Sequence, residues 1–257
     1  MSRTLTPLEF YDEPRIHQDY QAARSAPDEP NGALEEPYVL EFLGGVTGHA
    51  VLDLGCGAAG IAPRLLAAGA RSYTGVDGSA RMVERARSGL PGGAEVAQAD
   101  LETWAPPPDA AYDTVLSRMA LHYVVDLAGL LVRVRAGCAP GAQLVLSVEH
   151  PVVTSSYDAD WDPDHVPRVW HVHGYYDEGP RSCPWLDARV RKQHRTLETY
   201  LRLLRAAGFT LDRLSEGTPR SERFRDPDTY ARRRAVPMYL TLRAVADAGP
   251  RRGQPCG

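Results

Sequence analysis

Three aspartates stand where an apolar run gives way to a glycine or a turn: Asp53 in VLDLGCGAAG, Asp77 in GVDGSA and Asp100 in QADLE. Asp53 lies two residues before a G-x-G-x-x-G formed by Gly55, Gly57 and Gly60. Such glycines let the chain turn sharply out of a strand, and they let a ligand lie against the backbone at a helix N-terminus. In a dinucleotide site this loop cradles a pyrophosphate, which a carboxylate at position 53 repels. S-adenosylmethionine has no phosphate, and a carboxylate favours its sulfonium and ammonium groups. Asp77 is spaced to accept both hydroxyls of a ribose, a role that NAD sites share. Asp100 is placed to accept the exocyclic amine of adenine, with the Leu101 amide reaching a ring nitrogen. Each aspartate alone reads as a cap or turn residue. Three of them at three successive strand ends read as a binding site.

The elements that must position these acids follow a regular rhythm. From Ala50 an apolar run, a Gly or Asp signal and a helical segment alternate, the pattern of βα units on a parallel sheet. Strands are expected at Ala50–Leu54, Ser72–Val76, Glu95–Ala99 and Asp113–Ser117. Helices are expected at Gly60–Ala68, with Pro63 in the first turn and Gly69 as the left-handed cap, and at Ala80–Arg87, capped by Ser79 and closed by Gly89. Leu127, Leu130, Leu131 and Val134 form a helical stripe, and Pro140-Gly141 turns the chain into the buried strand QLVLSVEH. Thr196 caps a helix running to Ala207, and Phe209–Leu214 and Met238–Val245 close the sheet.

The whole chain reads as one domain with five parts. Residues 1–49 are an N-terminal arm, 50–150 a cofactor-binding core, 151–193 an insert, 194–245 the C-terminal sheet elements and 246–257 a flexible tail. The insert is rich in Pro and aromatic residues (Tyr157, Trp161, Trp170, Tyr175, Tyr176, Trp185), the composition of a lid over a small-molecule pocket. Its His165, His171 and His173 have no carboxylate or cysteine to complete a ligand set, and no metal is expected.

Composition narrows the function. The formal net charge of -4 and the scattered basic residues argue against a nucleic-acid partner. No apolar run approaches the roughly 18 residues that span a bilayer, and the opening MSRTLTPLEFYDEP has no signal-peptide character. A cytoplasmic protein acting on a small molecule, without a membrane or nucleic-acid partner, is expected as a monomer or homodimer. Cys56, Cys138, Cys183 and Cys256 show no C-x-x-C spacing and read as reduced thiols.

VLDLGCGAAG, GVDGSARMVERAR, ADLE, YDTVLSRMALHYVVDL and PGAQLVLSVEH resemble the successive motifs of class I S-adenosylmethionine-dependent methyltransferases, over about residues 48 to 150. The flanks FYDEP, YQAARS, PNGALEEP and KQHRTLETY resemble a bacterial small-molecule branch of that family, the methyltransferase type 11-like branch. Ala58-Ala59 departs from it, because many relatives carry a larger or hydroxylated residue after the second glycine. The resemblance implies an α/β, doubly wound (Rossmann-like) fold with a seven-stranded, mostly parallel sheet and an antiparallel last strand. The cofactor then lies across the first strand ends and the acceptor over strands four and five. The cofactor-binding candidates are Asp53, Gly55, Gly57, Asp77, Gly78, Met82, Asp100, Leu101, Ser117 and His122, with Tyr11, Tyr20 and Arg24 of the arm closing over the methionine end. His150 and His194 are the candidate general bases. Glu149 either accepts from a substrate amine or pairs with an arginine.

Methyl transfer to an O, N or C atom of a small metabolite in specialised metabolism is the leading expectation. A cyclase that keeps the cofactor as an electrostatic element, a non-catalytic cofactor-binding protein and an NAD-linked oxidoreductase are the alternatives.

Overall fold

The computed structural model describes residues 3–24, 29–156 and 170–247, without the side chains of Gln21 and Arg24. Tyr157, Trp161, His165, Cys256 and the expected tail beyond Asp247 lie outside the described residues.

The arm comprises β1 (Thr4–Leu5), α1 (Pro7–Asp12) and α2 (Pro14–Arg24). Thr6 and Glu9 form a reciprocal capping box around Pro7, which satisfies the first amides of α1. A π-helical turn at Asn31–Glu35 runs into α3 (Glu36–Leu43). The expected alternation then appears as β2 (Ala50–Leu54), α4 (Ala62–Ala67), β3 (Ser72–Asp77), α5 (Ala80–Gly89), β4 (Ala94–Gln98), β5 (Tyr112–Arg118), α6 (Leu127–Ala136) and β6 (Cys138–Glu149). Ser79 caps α5 by accepting from the Met82 amide. Pro140-Gly141 is not a turn before β6 but an irregularity inside it: pairing with β5 runs Tyr112 to Cys138 and resumes Thr114 to Gln143, with Gly141 at φ +75°.

The chain continues through α7 (Pro151–Ser155), β7 (Gly179–Trp185), β8 (Ala188–His194), α8 (Leu197–Ala206), β9 (Phe209–Ser215), α9 (Pro227–Arg233) and β10 (Tyr239–Ala246). Seven strands form one sheet in the order β4-β3-β2-β5-β6-β10-β9, with β10 antiparallel to both neighbours. This is the expected doubly wound α/β architecture. Ala246 ends β10 opposite Phe209, so the ordered sheet runs one residue past the expected end.

Both faces of this sheet are covered. Leu52, Leu54, Val115, Leu144, Leu146, Leu130 and Leu204 pack on one side, and Val51, Leu116, Val145, Phe42, Ile61 and Val83 on the other. Alternate residues of each strand serve opposite cores, which is why β2, β5 and β6 are apolar throughout. Full burial of each such Leu or Val stabilises by about 1.5–3 kcal/mol.

The described part of the insert is more ordered than its composition implied. β7 and β8 form an antiparallel hairpin, and β8 pairs in parallel with β1 of the arm in a three-stranded sheet of order β1-β8-β7. Pro180 and Pro184 hid the hairpin from a strand reading, yet they sit on β7, an edge strand where missing amides cost little. Arm and insert therefore form one cover, with Phe10, Ile16 and Val190 as its small core.

Candidate cofactor and acceptor cavity

Strand order reverses at β2, whose neighbours are β3 and β5, and ligands of open α/β sheets bind in the crevice at such a point. A cavity of about 820 Å³ lies there. Asp53, Gly55, Gly57, Asp77, Gly78, Met82, Asp100, Leu101, His122, Tyr11 and Tyr20 all line it. Ser117 does not: its buried hydroxyl donates to the Leu54 carbonyl at 2.8 Å and holds β2 to β5. The Arg24 side chain is outside the described residues.

The glycine loop leaves β2 with Gly55 at φ +71° and Gly57 at φ +54°. A Cβ on Gly55 would stand 2.3 Å from that of Ala120, whereas one on Gly57 meets nothing within 4 Å. The Asp77 carboxylate ties this loop to the tip of β3, accepting from the Gly57 amide at 2.7 Å and the Ser79 amide at 2.9 Å. Burial raises its pKa and the two amides oppose the rise. Asp53 accepts a 2.6 Å hydrogen bond from the Tyr73 hydroxyl, while its Oδ1 is buried without a partner among the described residues. Burial pushes its pKa up to about 6, against the pull of Tyr73 and Arg118. Asp100 accepts from the Glu102 amide at 3.0 Å, a turn contact that leaves it on the cavity wall.

Over β5 and β6 the wall is built from ion pairs and rings. Arg118 donates to Glu35 at 3.1 and 2.5 Å and to Glu36 at 3.2 Å, and the Ser147 hydroxyl donates to Glu35 at 2.6 Å. Lys192 donates to Glu149 at 2.6 Å, with its ammonium 5.9 Å from the Tyr123 ring centroid and 5.4 Å from that of Trp185. Burial opposes ionisation of Glu149, but Lys192 and His122 outweigh it and hold the carboxyl below its usual range. The Tyr11 and Tyr123 hydroxyls bond each other at 3.0 Å.

A family model described as a methyltransferase domain matches residues 25–214. The chain belongs to this methyltransferase family. A solved S-adenosylmethionine-dependent methyltransferase from Mesorhizobium loti is 34% identical with a TM-score of 0.77, over 84% of this chain and 99% of that one. A structure described as a putative S-adenosylmethionine-dependent methyltransferase from Listeria monocytogenes is 31% identical with a TM-score of 0.71, over 82% and 97%. A trans-aconitate 2-methyltransferase of Paracidovorax citrulli is 43% identical over 141 residues, 54% of this chain and 47% of that protein. The methyltransferase thus spans about half the length of this relative. Its cofactor is S-adenosylmethionine.

The donor chemistry of the cavity fits that cofactor. Among the described lining residues of the methyltransferase there are eight carboxylates (Glu29, Glu35, Glu36, Asp53, Asp77, Asp100, Glu102 and Glu149) against three guanidinium groups (Arg64, Arg118 and Arg191). The unpartnered Oδ1 of Asp53 is where a cationic group relieves the cost of a buried carboxylate.

Neither candidate base of the methyltransferase reaches this wall. His150 is the N-cap of α7, with Nδ1 accepting from the Val152 amide at 3.1 Å and Nε2 3.1 Å from Glu216. His194 is wholly buried, its Nδ1 2.7 Å from the Thr154 hydroxyl and its Nε2 2.9 Å from the Tyr175 carbonyl. His122 does line the cavity, and burial pulls its pKa down to about 4, although Glu149 opposes this. Sequence reasoning missed Glu35, Arg118 and Lys192. Arg118 directly follows the expected fourth strand, and that position is the signal that points to it. Glu149 pairs with a lysine, not an arginine. Among the described residues no group of three His, Cys, Asp or Glu forms a metal site, and no helix is long and apolar enough to cross a membrane.

Proposed function

We propose that this methyltransferase transfers a methyl group to an O, N or C atom of a small metabolite held over β5 and β6, in a specialised pathway of the cytoplasm, working as a monomer or homodimer. The observation that carries the reading is the continuity of the cavity, whose single wall joins the three strand-end aspartates to the aromatic groups of the arm and hairpin. The relatives named trans-aconitate 2-methyltransferase support a small-molecule acceptor.

In this reading Asp53 meets the cationic methionine end, Asp77 the ribose, and Asp100 and Leu101 the adenine, with Gly78 and Met82 beneath. The bound cofactor supplies a methyl carbon already activated by its sulfonium. The protein's work is then positioning and exclusion of water. The arm performs the exclusion: Leu8 packs on Gly78, and Asp12 accepts from the Ser79 hydroxyl at 2.6 Å and the Arg81 amide at 3.2 Å. Tyr11 and Tyr20 sit on that arm and line the cavity. Where the acceptor must lose a proton before transfer, His122 is the histidine on the wall to take it.

The test is incubation with S-adenosylmethionine carrying a deuterated methyl group and a panel of small acceptors, read by mass. The reading expects one labelled methyl per product with equal release of S-adenosylhomocysteine. A product of unchanged mass from a consumed acceptor contradicts it.

A further inference from the structure

In the acceptor half of the cavity most basic groups are matched by carboxylates. Arg118 is matched by Glu35 and Glu36, Arg64 lies 3.7 Å from Glu36, and Lys192 is matched by Glu149. Arg191 is the single lining cation without a carboxylate partner among the described residues. The pair of Lys192 with Glu149 is neutral as a whole, yet it leaves one carboxylate oxygen free to accept. Lys192 occupies Oε1 of Glu149, and Oε2 makes no hydrogen bond among the described residues although the side chain lines the cavity. Beside it stand Tyr123 and Trp185, whose rings already accommodate the Lys192 ammonium, and Tyr20 packs edge-on to Trp185 at 5.8 Å. Ring faces and a carboxylate oxygen together recognise an ammonium.

We propose that the acceptor is a small primary or secondary amine on an apolar or aromatic group, its nitrogen held by Oε2 of Glu149 against Tyr123 and Trp185. This rests on the methyl-transfer reading and departs from the acceptor named for the trans-aconitate relatives. The unprotonated amine reacts: its nitrogen lone pair takes the methyl carbon, and the electron pair of the former carbon–sulfur bond stays on sulfur. Positive charge passes from sulfur to nitrogen, where Glu149 stabilises it as it develops. The surplus N–H proton then leaves the methylated ammonium for water.

The test uses calorimetry on the protein loaded with S-adenosylhomocysteine, with benzylamine, phenylacetate and trans-aconitate as probes. Benzylamine is expected to bind at least tenfold more tightly than either acid, and to yield N-methylbenzylamine when S-adenosylmethionine replaces the product. The double variant Glu149→Gln/Lys192→Met removes both charges of the pair, leaves no buried charge alone, and is expected to reduce that preference at least tenfold. S-adenosylhomocysteine affinity, read in the same samples, reports the cofactor half separately. Tighter binding of either acid, no binding of benzylamine, or a preference that survives in the double variant overturns the proposal. Failure of the wild type to bind S-adenosylhomocysteine overturns the methyl-transfer reading beneath it.

Discussion

The Tyr73 hydroxyl donates a 2.6 Å hydrogen bond to one oxygen of Asp53, and the other oxygen of that carboxylate is buried without a partner among the described residues. Half-satisfaction of a buried charge is costly to the fold, and a cation delivered by a ligand relieves it. The strain at Asp53 thus lies where the cofactor reading needs attraction.

Asp53→Asn separates these two effects. Burial, opposed by Tyr73 and Arg118, raises the folded-state pKa from 3.8 to about 6. The carboxylate therefore destabilises the fold at pH above about 6, and this penalty fades as pH falls towards 3.8. At pH 7.5 the asparagine variant is expected to gain up to about 3 kcal/mol of stability in denaturant melts, while S-adenosylhomocysteine affinity falls at least tenfold in calorimetry. A variant that binds normally, or that is less stable at pH 7.5, contradicts the assignment.

His122 has the opposite pH dependence. Burial lowers its pKa from 6.5 to about 4, so its contribution to stability is fully present above pH 6.5 and is lost as pH falls towards 4. The loss amounts to about 3 kcal/mol. Asp53 runs the other way over part of this window, so urea melts are best compared in the Asp53→Asn background. There His122→Asn is expected to flatten the fall in stability between pH 6.5 and 4; an unchanged slope means His122 does not titrate in this way.

The two glycines that open the loop differ in their tolerance. Gly55→Ala forces a positive φ and a 2.3 Å clash with Ala120, and is expected to cost about 2–5 kcal/mol. Gly57→Ala has only its φ of +54° to bear, about 1–2 kcal/mol, and should fold. Its methyl group is expected to cost at least tenfold in S-adenosylhomocysteine affinity because Gly57 lines the cavity. Melts and calorimetry on the pair decide this, and equal stability losses contradict it.

The sheet was legible because its strands are buried on both faces and its turns carry Gly, Asp and Ser where geometry requires them. The aspartates at strand ends were legible for the same reason, since strand ends carry their side chains to one edge. Ion pairs that join distant segments were not: Glu35 reads as an ordinary helix acid, and only tertiary packing sets it against Arg118, 83 residues later. Lys192 lies on a hairpin whose prolines mask strand character. His150 precedes Pro151 at the first position of α7, so its ring serves the helix end and not the cavity. Position at a strand end alone could not separate these two uses of a histidine.

The most direct measurement is calorimetric titration of S-adenosylhomocysteine into the wild type and into Asp77→Ala, with NAD as the control ligand and melts confirming that the variant is folded. The account predicts one site in the wild type, at least tenfold weaker binding in the folded variant, and no heat from NAD. Undiminished binding in Asp77→Ala, or binding of NAD to the wild type, would contradict the placement of the cofactor along the strand-end aspartates.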